Sequence, residues 1–501
     1  MPTHLSIQDL VDVLKHRDDI NIDNVFLAYE LADEAHGGNV RESGEPYIQH
    51  PLHTAMLLAK LRMDEDTIIS GLLHDVVEDS GVSLDTIRET FGPDVHHIVS
   101  GVTKLGLLKY RGVERYVENL RRMFVAMAKD IRVIIVKFAD RIHNLQTLDS
   151  LPEEKRRRIA LESLEIYAPI ANRLGIGTLK GMLEDLAFQH IDPENYQWVK
   201  QQMDTLVESR QEHLDKMISE TKQILESANI PYRSVHGRIK RVYSLYQKLL
   251  SKNKNFTEIH DLIAVRVVVE NIHDCYAALG ILHERWKPLK GQIKDYIAVP
   301  KPNGYQSLHT TIFCDDGTRI EFQVRTEKMH YEAEYGIAAH WNYIESGKPQ
   351  RGSAISKHKI EWLNHLLELH EEVEDGEEFL ESVKLDIFSN RIFVFTPKGD
   401  VIDLPEAATP IDFAYAVHTS IGNHCVGSKV NDAIAPLDRK LRSGDVVEIL
   451  TDKRRSAPNE DWLRFARARS TKEHIRQALN SGSANIKTMH PVSKKARPVT
   501  H

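Results

Sequence analysis

Apolar residues recur at spacings of three and four from the N-terminus to about residue 195, as in VFLAYELADEA and VHHIVSGVTKLGLL, and this period demands helices. A further polar helix is predicted over 196–228. The pattern then changes. DLIAVRVVVE (261–270) and TRIEFQVRT (318–326) are β-rich runs, with a helical stretch, HDCYAALGILHERW (273–286), between them. An all-α domain followed by an α/β domain ending near residue 347 is therefore predicted. Beyond it, residues 350–385 read as a charged connector, whose EEVEDGEEFLE is expected to be solvated. RIFVFTPKGDVIDLP reads as a hairpin turning at Pro397–Asp400, and DVVEILT (445–451) supplies a later strand of a small module. The tail from about 481 is polar and basic and is expected to be disordered.

With 501 residues the chain is too long for one ordinary domain. A net charge of −8 argues against a protein that coats nucleic acid as a whole. Its three cysteines, Cys275, Cys314 and Cys425, lie far apart, which fits a reducing cytoplasm and argues against a disulfide framework or a thiolate zinc site. MPTHLSIQDL lacks a basic region followed by an apolar core, so no signal peptide is expected. No run of about eighteen apolar residues predicts a membrane span. A cytoplasmic protein is expected.

GLLHDVVEDSG (71–81) carries the first candidate site. With helical geometry, His74 and Glu78 share a face, as do Asp75 and Asp79, which alone could mean two favourable surface pairs. Two other segments weigh against that. His53 opens an apolar helix in YIQHPLHTAMLLAKL, and Asp140 lies inside the apolar run of VIIVKFADRIHNLQTL. A buried carboxylate is costly unless paired or metal-bound. Lys137, Asp140, Asn144 and Thr147 form one polar stripe along that helix. Two histidines and two aspartates, His53, His74, Asp75 and Asp140, make a mixed nitrogen and oxygen set suited to manganese, iron or zinc rather than calcium. The H…HD…D order resembles the HD-type metal phosphohydrolases. In such a site Glu78 and Asp79 could orient or deprotonate a water.

The second candidate site lies on strands. Asp261 opens DLIAVRVVVE, and alternation along TRIEFQVRT puts Arg319, Glu321, Gln323 and Arg325 on one face and Ile320, Phe322 and Val324 on the other. A charged strand face is commonly just solvated. Here two strands each offer a carboxylate, Asp261 and Glu321, which could share Mg²⁺ as in nucleotidyltransferases. Basic groups surround them in sequence: Arg238, Lys240, then Arg241, Ser244 and Lys248 at three and four spacing, and Lys294, Lys301, Asn303, Tyr305 and His309 in a Pro/Gly-bearing loop. Cations of this kind stabilise transferring phosphates, and an aromatic beside a glycine can stack on a base. No GxxxxGK[ST] occurs.

RESGEPYIQHP, HDVVEDS, KFADRIHN, DYIAVPKPNGYQSLHTT, EFQVRT and AEYGIAAHW follow one another across the first 340 residues. Together they resemble the long RelA/SpoT homologue family, bifunctional synthetase/hydrolases of guanosine tetra- and pentaphosphate. RIFVFTPKGDVIDLPEAATPIDFAYAVHTSIG is similar to their TGS domain. The resemblance implies an all-α HD-type hydrolase domain with connecting helices over 1–195 and an α/β nucleotidyltransferase-like synthetase domain over 196–347. A charged helical linker over 348–386, a β-grasp-like TGS domain over 387–451 and a short helical segment with a disordered tail over 452–501 complete it. His53, His74, Asp75 and Asp140 would hold Mn²⁺, Glu78 and Asp79 would be the catalytic acidic pair, and Arg41, Ser43, Lys137, Asn144 and Thr147 would surround the nucleotide. Asp261 and Glu321 would hold Mg²⁺, Glu321 also assisting deprotonation of the attacking hydroxyl. Tyr305 would stack on the acceptor guanine, and Arg238, Lys240, Ser244, Lys248, Lys294, Lys301, Asn303, Gln306 and His309 would line the synthetase nucleotide site. ATP, GDP or GTP and (p)ppGpp are the implied small-molecule partners. His418 would meet deacylated tRNA on the ribosome, and a homo-oligomer is allowed.

Two departures stand out. Bifunctional members carry R-x-K-D where this chain reads Gln292-Ile293-Lys294-Asp295. The chain also ends soon after the TGS-like module, where longer relatives continue into further modules. Two other readings stay open: a hydrolase alone, if Gln292 has disabled synthesis, and a non-catalytic ribosome-associated regulator acting through the TGS module.

Overall fold

The computed structural model describes residues 4–106, 113–338 and 391–487, apart from 251, 253, 257, 258, 260, 261, 302, 316, 443, 453 and 456. Asp261, the connector expected at 348–386, the end of the α/β segment after 338 and the tail beyond 487 lie outside the described residues. The chain divides into two compact units, 1–376 and 377–501.

The first unit opens with helices α1 (Ile7–Leu14), α2 (Ile22–Ala35), α3 (Gln49–Lys60), α4 (Glu65–Leu73), α5 (Val76–Asp79), α6 (Leu84–Gly106), α7 (Val113–Lys129) and α8 (Ile131–Gln146). α3 is buried at every position from Gln49 to Ala59 and packs among α1, α4 and α8. Asp64 caps the start of α4 and also accepts from Arg132 Nη1 at 2.9 Å. Arg132 further pairs with Asp94 at 2.9 Å and Asp130 at 2.8 Å. A buried guanidinium shared among three carboxylates thus pins the start of α8 to the α3–α4 corner.

HDVVED is not one continuous helix. α4 ends at Leu73 and α5 begins at Val76, with His74 and Asp75 in the turn between. This corrects the uninterrupted helical geometry read from the sequence. The break matters because neighbours in a continuous helix face about 100° apart and do not meet at one point.

Connecting helices α9 (Glu153–Glu162), α10 (Ala168–Arg173), α11 (Gly177–Ile191) and the 35-residue α12 (Pro193–Ser227) lead to the sheet. β1 (Tyr232–Ile239), α13 (Val242–Leu250), β2 (Ile263–Val269), α14 (Ile272–Arg285), β3 (Lys294–Asp295), β4 (Leu308–Phe313), β5 (Arg319–Thr326) and α15 (Glu327–Tyr335) follow. The strand order is β1-β2-β5-β4-β3, with β2 and β5 parallel and the other pairs antiparallel. The expected alternation holds: Ile320, Phe322 and Val324 enter a core with Val265, Val267 and Trp286. The opposite face is covered too, since Gln323 is 3% and Arg325 0% exposed. The strand β1, which carries Arg238, was absent from the sequence reading.

α11 packs on α8 on one side and on α12, α13 and α15 on the other. Gly336, just after α15, sits at φ +57, and a Cβ there would lie 2.5 Å from the Gly175 carbonyl carbon and the Leu174 carbonyl oxygen. The Ile337 N–H donates to Leu174 O at 3.1 Å. Glycine is required by both conformation and close backbone approach.

In the second unit β6 (Arg391–Phe395) and β7 (Val401–Pro405) form the expected hairpin. α16 (Pro410–Val417) and α17 (Thr419–Asn423) precede a sheet of β8 (Cys425–Val430), β9 (Ala433–Ala435) and β10 (Val447–Thr451), ordered β10-β8-β9. Buried Asp412 accepts from Thr409 N and Oγ1 and from the N–H groups of Arg467 and Ala468, tying the following segment to α16. α18 (Arg469–Lys487) runs through residues 481–487, where disorder was expected. Ser-Gly-Ser is a poor helix starter, but extending an existing helix costs far less than nucleating one. Among the described residues no helix is long and apolar enough to cross a membrane.

Gly336→Ala should destabilise the first unit by about 2–4 kcal/mol, combining left-handed strain with a backbone clash. Gly38→Ala, at φ +78 with nothing within 4 Å, is the control and should cost about 1 kcal/mol. Denaturant unfolding of both variants checks the difference.

Candidate active sites

The break between α4 and α5 turns two adjacent side chains onto one point. His74 Nε2 and Asp75 Oδ2 are 3.3 Å apart. His50 Nε2 lies 3.1 Å from His74 Nε2, 3.4 Å from Asp75 Oδ2 and 3.3 Å from Asp140 Oδ1. His50, His74 and Asp140 offer ligand atoms that all lie within 4.8 Å of one another, and all three residues are buried. Separations of this size are the edges of a polyhedron whose donors sit about 2.0–2.2 Å from a shared centre.

His53 is not part of this group. It lies one turn further along α3, its ring stacked on His143 at 4.5 Å, with Nδ1 lacking a hydrogen-bond partner. His50 takes the place expected of it. Both histidines lie on a helix buried on all sides, so apolar surroundings could not choose between them.

Proton bookkeeping favours a cation. His74 Nδ1 lies 2.9 Å from Gly71 O, which can only accept, so the neutral ring presents Nε2 as a lone pair. Burial works against a charged His74, but Asp75, the bond to it and Asp140 raise the imidazole to about 9. Asp140 is pulled well below the carboxylate range: burial opposes this, while Lys137 and the neighbouring imidazoles outweigh it. The pocket therefore holds its carboxylates ionised and demands positive charge at their centre, and its imidazole and carboxylate donors suit a divalent metal.

The polar stripe of α8 surrounds this centre. Lys137 Nζ is 2.6 Å from Asp140 Oδ2, and the Asn144 amide also donates to Asp140. Arg41 donates to Asn144 Oδ1 at 2.7 Å. Thr147 is occupied locally, its hydroxyl donating to His143 O at 3.3 Å, and Ser43 is exposed in the loop before α3. Tyr47, unnoticed in the sequence, donates to Asp79 Oδ2 at 2.5 Å and lies 3.4 Å from Asp75 Oδ2, joining Asp79 to the centre. Desolvation, then the Asp75 charge, pushes the Glu78 carboxyl up from its ordinary value.

In the α/β segment the strand register gathers the polar groups. His236 pairs with Arg266, Arg266 with Gln323, Gln323 with His309 and His309 with Lys294, one row across all five strands. The next row carries Arg238, Ala264, Glu321 and Thr311. Glu321 Oε1 accepts from Gln323 Nε2 at 3.1 Å and lies 2.8 Å from His309 Nδ1, whose Nε2 meets Tyr305 Oη at 2.9 Å. The Lys301 ammonium sits over the rings of Tyr296 and Tyr305, 4.6 and 4.9 Å from their centroids. Tyr305 also lines a cavity of about 520 Å³, together with Arg238, Lys240, Ser244 and Asn303 and with Lys180 and Glu184 of α11.

The remaining expected residues divide. Lys248 is half-buried one turn beyond Ser244, and Lys294 is exposed. Gln306 donates to Ile297 O at 3.1 Å, and Asn303 braces its own loop, accepting from Tyr305 N at 3.2 Å. In the second unit exposed His418 caps α17, its Nδ1 accepting from Ser420 N at 3.0 Å.

Two guanidiniums of this cavity, Arg266 and Arg325, had no assigned role in the sequence. They share Glu334 of α15 at 3.0 and 3.2 Å, and Thr178 of α11 donates to the same carboxylate at 3.0 Å. Burial works to raise the Glu334 carboxyl, but Arg266 and Arg325 outweigh it and hold it at about 2.

A buried cluster of imidazole and carboxylate donors in the helical part and a basic cavity beside the mixed sheet are the two candidate sites of the first unit. Residues 28–177 match the HD domain, 237–348 the region found in RelA / SpoT proteins and 392–451 the TGS domain. The chain is 44% identical over 497 residues to the bifunctional (p)ppGpp synthase/hydrolase SpoT of Escherichia coli, covering 99% of this chain and 69% of that protein. It is 46% identical over 470 residues to a GTP pyrophosphokinase of Myxococcus xanthus, and 46% identical over 463 residues to one of Streptomyces coelicolor. These matches cover 93% and 90% of this chain but only 61% and 54% of the relatives. The chain belongs to the RelA/SpoT family.

Because the folded Glu334 carboxyl lies below its ordinary 4.5, its ionised form stabilises the fold above that pH, and the contribution is lost as pH falls towards about 2. Glu334→Gln should therefore cost about 2 kcal/mol at pH 7 and progressively less between pH 4.5 and 2. Urea unfolding at pH 7 and pH 3 reads the convergence.

Proposed function

We propose that this chain both makes and degrades guanosine tetra- and pentaphosphate. In synthesis the 3′-hydroxyl of GDP or GTP attacks the β-phosphorus of ATP and AMP leaves. In hydrolysis water releases pyrophosphate from the 3′ position and returns GDP or GTP. The observation that carries the hydrolase half is the meeting of His50, His74, Asp75 and Asp140 at separations of 3.1–3.4 Å. The synthetase half is supported by the basic cavity and by Glu321, which His309 and Tyr305 connect to its lining, and both halves by the names of the relatives.

His50, His74, Asp75 and Asp140 would hold Mn²⁺. A divalent ion in such a site lowers the pKa of a bound water and polarises a phosphoryl oxygen. Glu78 is suited to take a proton from the attacking water, and Tyr47 holds Asp79 beside it. Lys137, Arg41 and Asn144 would offer a cation, a guanidinium and an amide to a phosphorylated nucleoside, and Ser43 and Thr147 would complete that set. In the other site Asp261 and Glu321 would hold Mg²⁺. Glu321, 2.8 Å from His309 Nδ1, would accept the proton of the 3′-hydroxyl. Tyr305 offers a ring for the acceptor guanine, while Arg238, Lys240, Ser244, Lys248, Lys294, Lys301 and His309 neutralise phosphate charge. The TGS domain, with exposed His418, would contact deacylated tRNA on the ribosome, and the cytoplasm is the compartment where these substrates occur.

Incubation with ATP and GDP should yield AMP and ppGpp, and ppGpp with Mn²⁺ should yield GDP and pyrophosphate, both read by nucleotide chromatography. Asp75→Ala should lower hydrolysis at least 100-fold and leave synthesis within about threefold; Glu321→Ala should do the reverse. Synthesis undetectable in the unaltered chain, with hydrolysis intact, would favour the hydrolase-only reading raised by Gln292.

A further inference from the structure

His143 of α8 meets two histidines of α3, His50 at 2.9 Å between Nδ1 atoms and His53 by ring stacking. We infer that Arg41 and His143 are positioning residues that fix the ring tautomer of His50, so that its Nε2 lone pair, and not an N–H, faces the metal ion. This rests on the reading of that centre as a metal site.

The argument follows donors and acceptors. Arg41 Nη1 lies 3.1 Å from His143 Nδ1, and a guanidinium can only donate. His143 Nδ1 is therefore an acceptor. The same nitrogen lies 2.9 Å from His50 Nδ1, so its one lone pair is shared between the guanidinium and a proton that the His50 ring carries on Nδ1. A neutral imidazole carrying its proton on Nδ1 has a bare Nε2, and His50 Nε2 is the atom 3.1 Å from His74 Nε2 and 3.3 Å from Asp140 Oδ1. Two rings with opposed lone pairs would repel across 3.1 Å, and an ion between them turns that repulsion into coordination.

Two further contacts hold the device in place. Arg41 Nη2 donates to Asn144 Oδ1 at 2.7 Å, so one guanidinium braces the neighbours of both His50 and Asp140. His53 stacks on His143 with 26° between ring planes, fixing the plane in which His143 accepts. The histidine singled out from the sequence thus supports the site at one remove. Outer partners of this type orient ligands and typically change metal affinity 10- to 100-fold when removed.

The test titrates Mn²⁺ into the full chain, following free ion by electron paramagnetic resonance, for the unaltered protein, His143→Leu and His143→Asn. The asparagine Oδ1 falls where Nδ1 lies and can accept from His50; leucine cannot. Leucine should weaken Mn²⁺ binding 10- to 100-fold and asparagine less than about threefold, with thermal midpoints alike. Equal weakening by both would assign His143 a packing role and overturn the inference, as would unaltered affinity in His143→Leu. No Mn²⁺ binding by the unaltered chain would instead sink the metal reading beneath it. In the Zn²⁺-loaded unaltered protein, long-range ¹H–¹⁵N correlations of the His50 ring should show Nε2 coordinated and Nδ1 protonated. The reverse assignment overturns the proposal even if the leucine variant fails to fold.

Discussion

A carboxylate buried in an apolar helix has to be compensated, and Asp140 imposes that requirement on the N-terminal half of this protein. Removing an isolated carboxylate from water is prohibitive unless positive charge and hydrogen bonds replace the solvent. Lys137 and Asn144 supply part of this from the same helix. The rest comes across the bundle from His50 and from the centre it shares with His74 and Asp75. The packing of α3, α4 and α8 is thus inseparable from the chemistry, and the Arg132 cluster at the α3–α4 corner holds those helices in register around it.

The second site solves a related problem with opposite sign. Arg266 and Arg325 are almost fully buried on the polar face of the sheet, and Glu334 is the carboxylate they share. That carboxylate belongs to α15, whose end closes on the backbone before α11, while α11 also packs on α8. The helices between the sites are therefore structural parts of both. One element, α11, lines the basic cavity and packs against the helix that carries Asp140.

Much of this organisation was legible in the sequence. The change of period near residue 230 separated the helical half from the sheet, and alternation in TRIEFQVRT sorted its core face from its polar face. The one carboxylate in VIIVKFADRIHN marked Asp140. Other features were hidden for physical reasons. His50 and His53 are one turn apart on a wholly buried helix, so spacing and hydropathy treat them alike. Tyr47 and His143 act only through partners distant in sequence. Arg266 reads as one charge in a β run until pairing aligns it with Gln323 and His236.

Residue types and periods by themselves determined that helices would precede a sheet and that a costly carboxylate needed partners, because burial and period are local properties of the chain. Only the tertiary structure decided which histidine meets that carboxylate, and which nitrogen it presents. It also decided that His74 and Asp75 converge, because a two-residue break between helices redirects side chains that a continuous helix would hold apart. Coordination depends on where lone pairs point in space, and no spacing along a chain carries that direction.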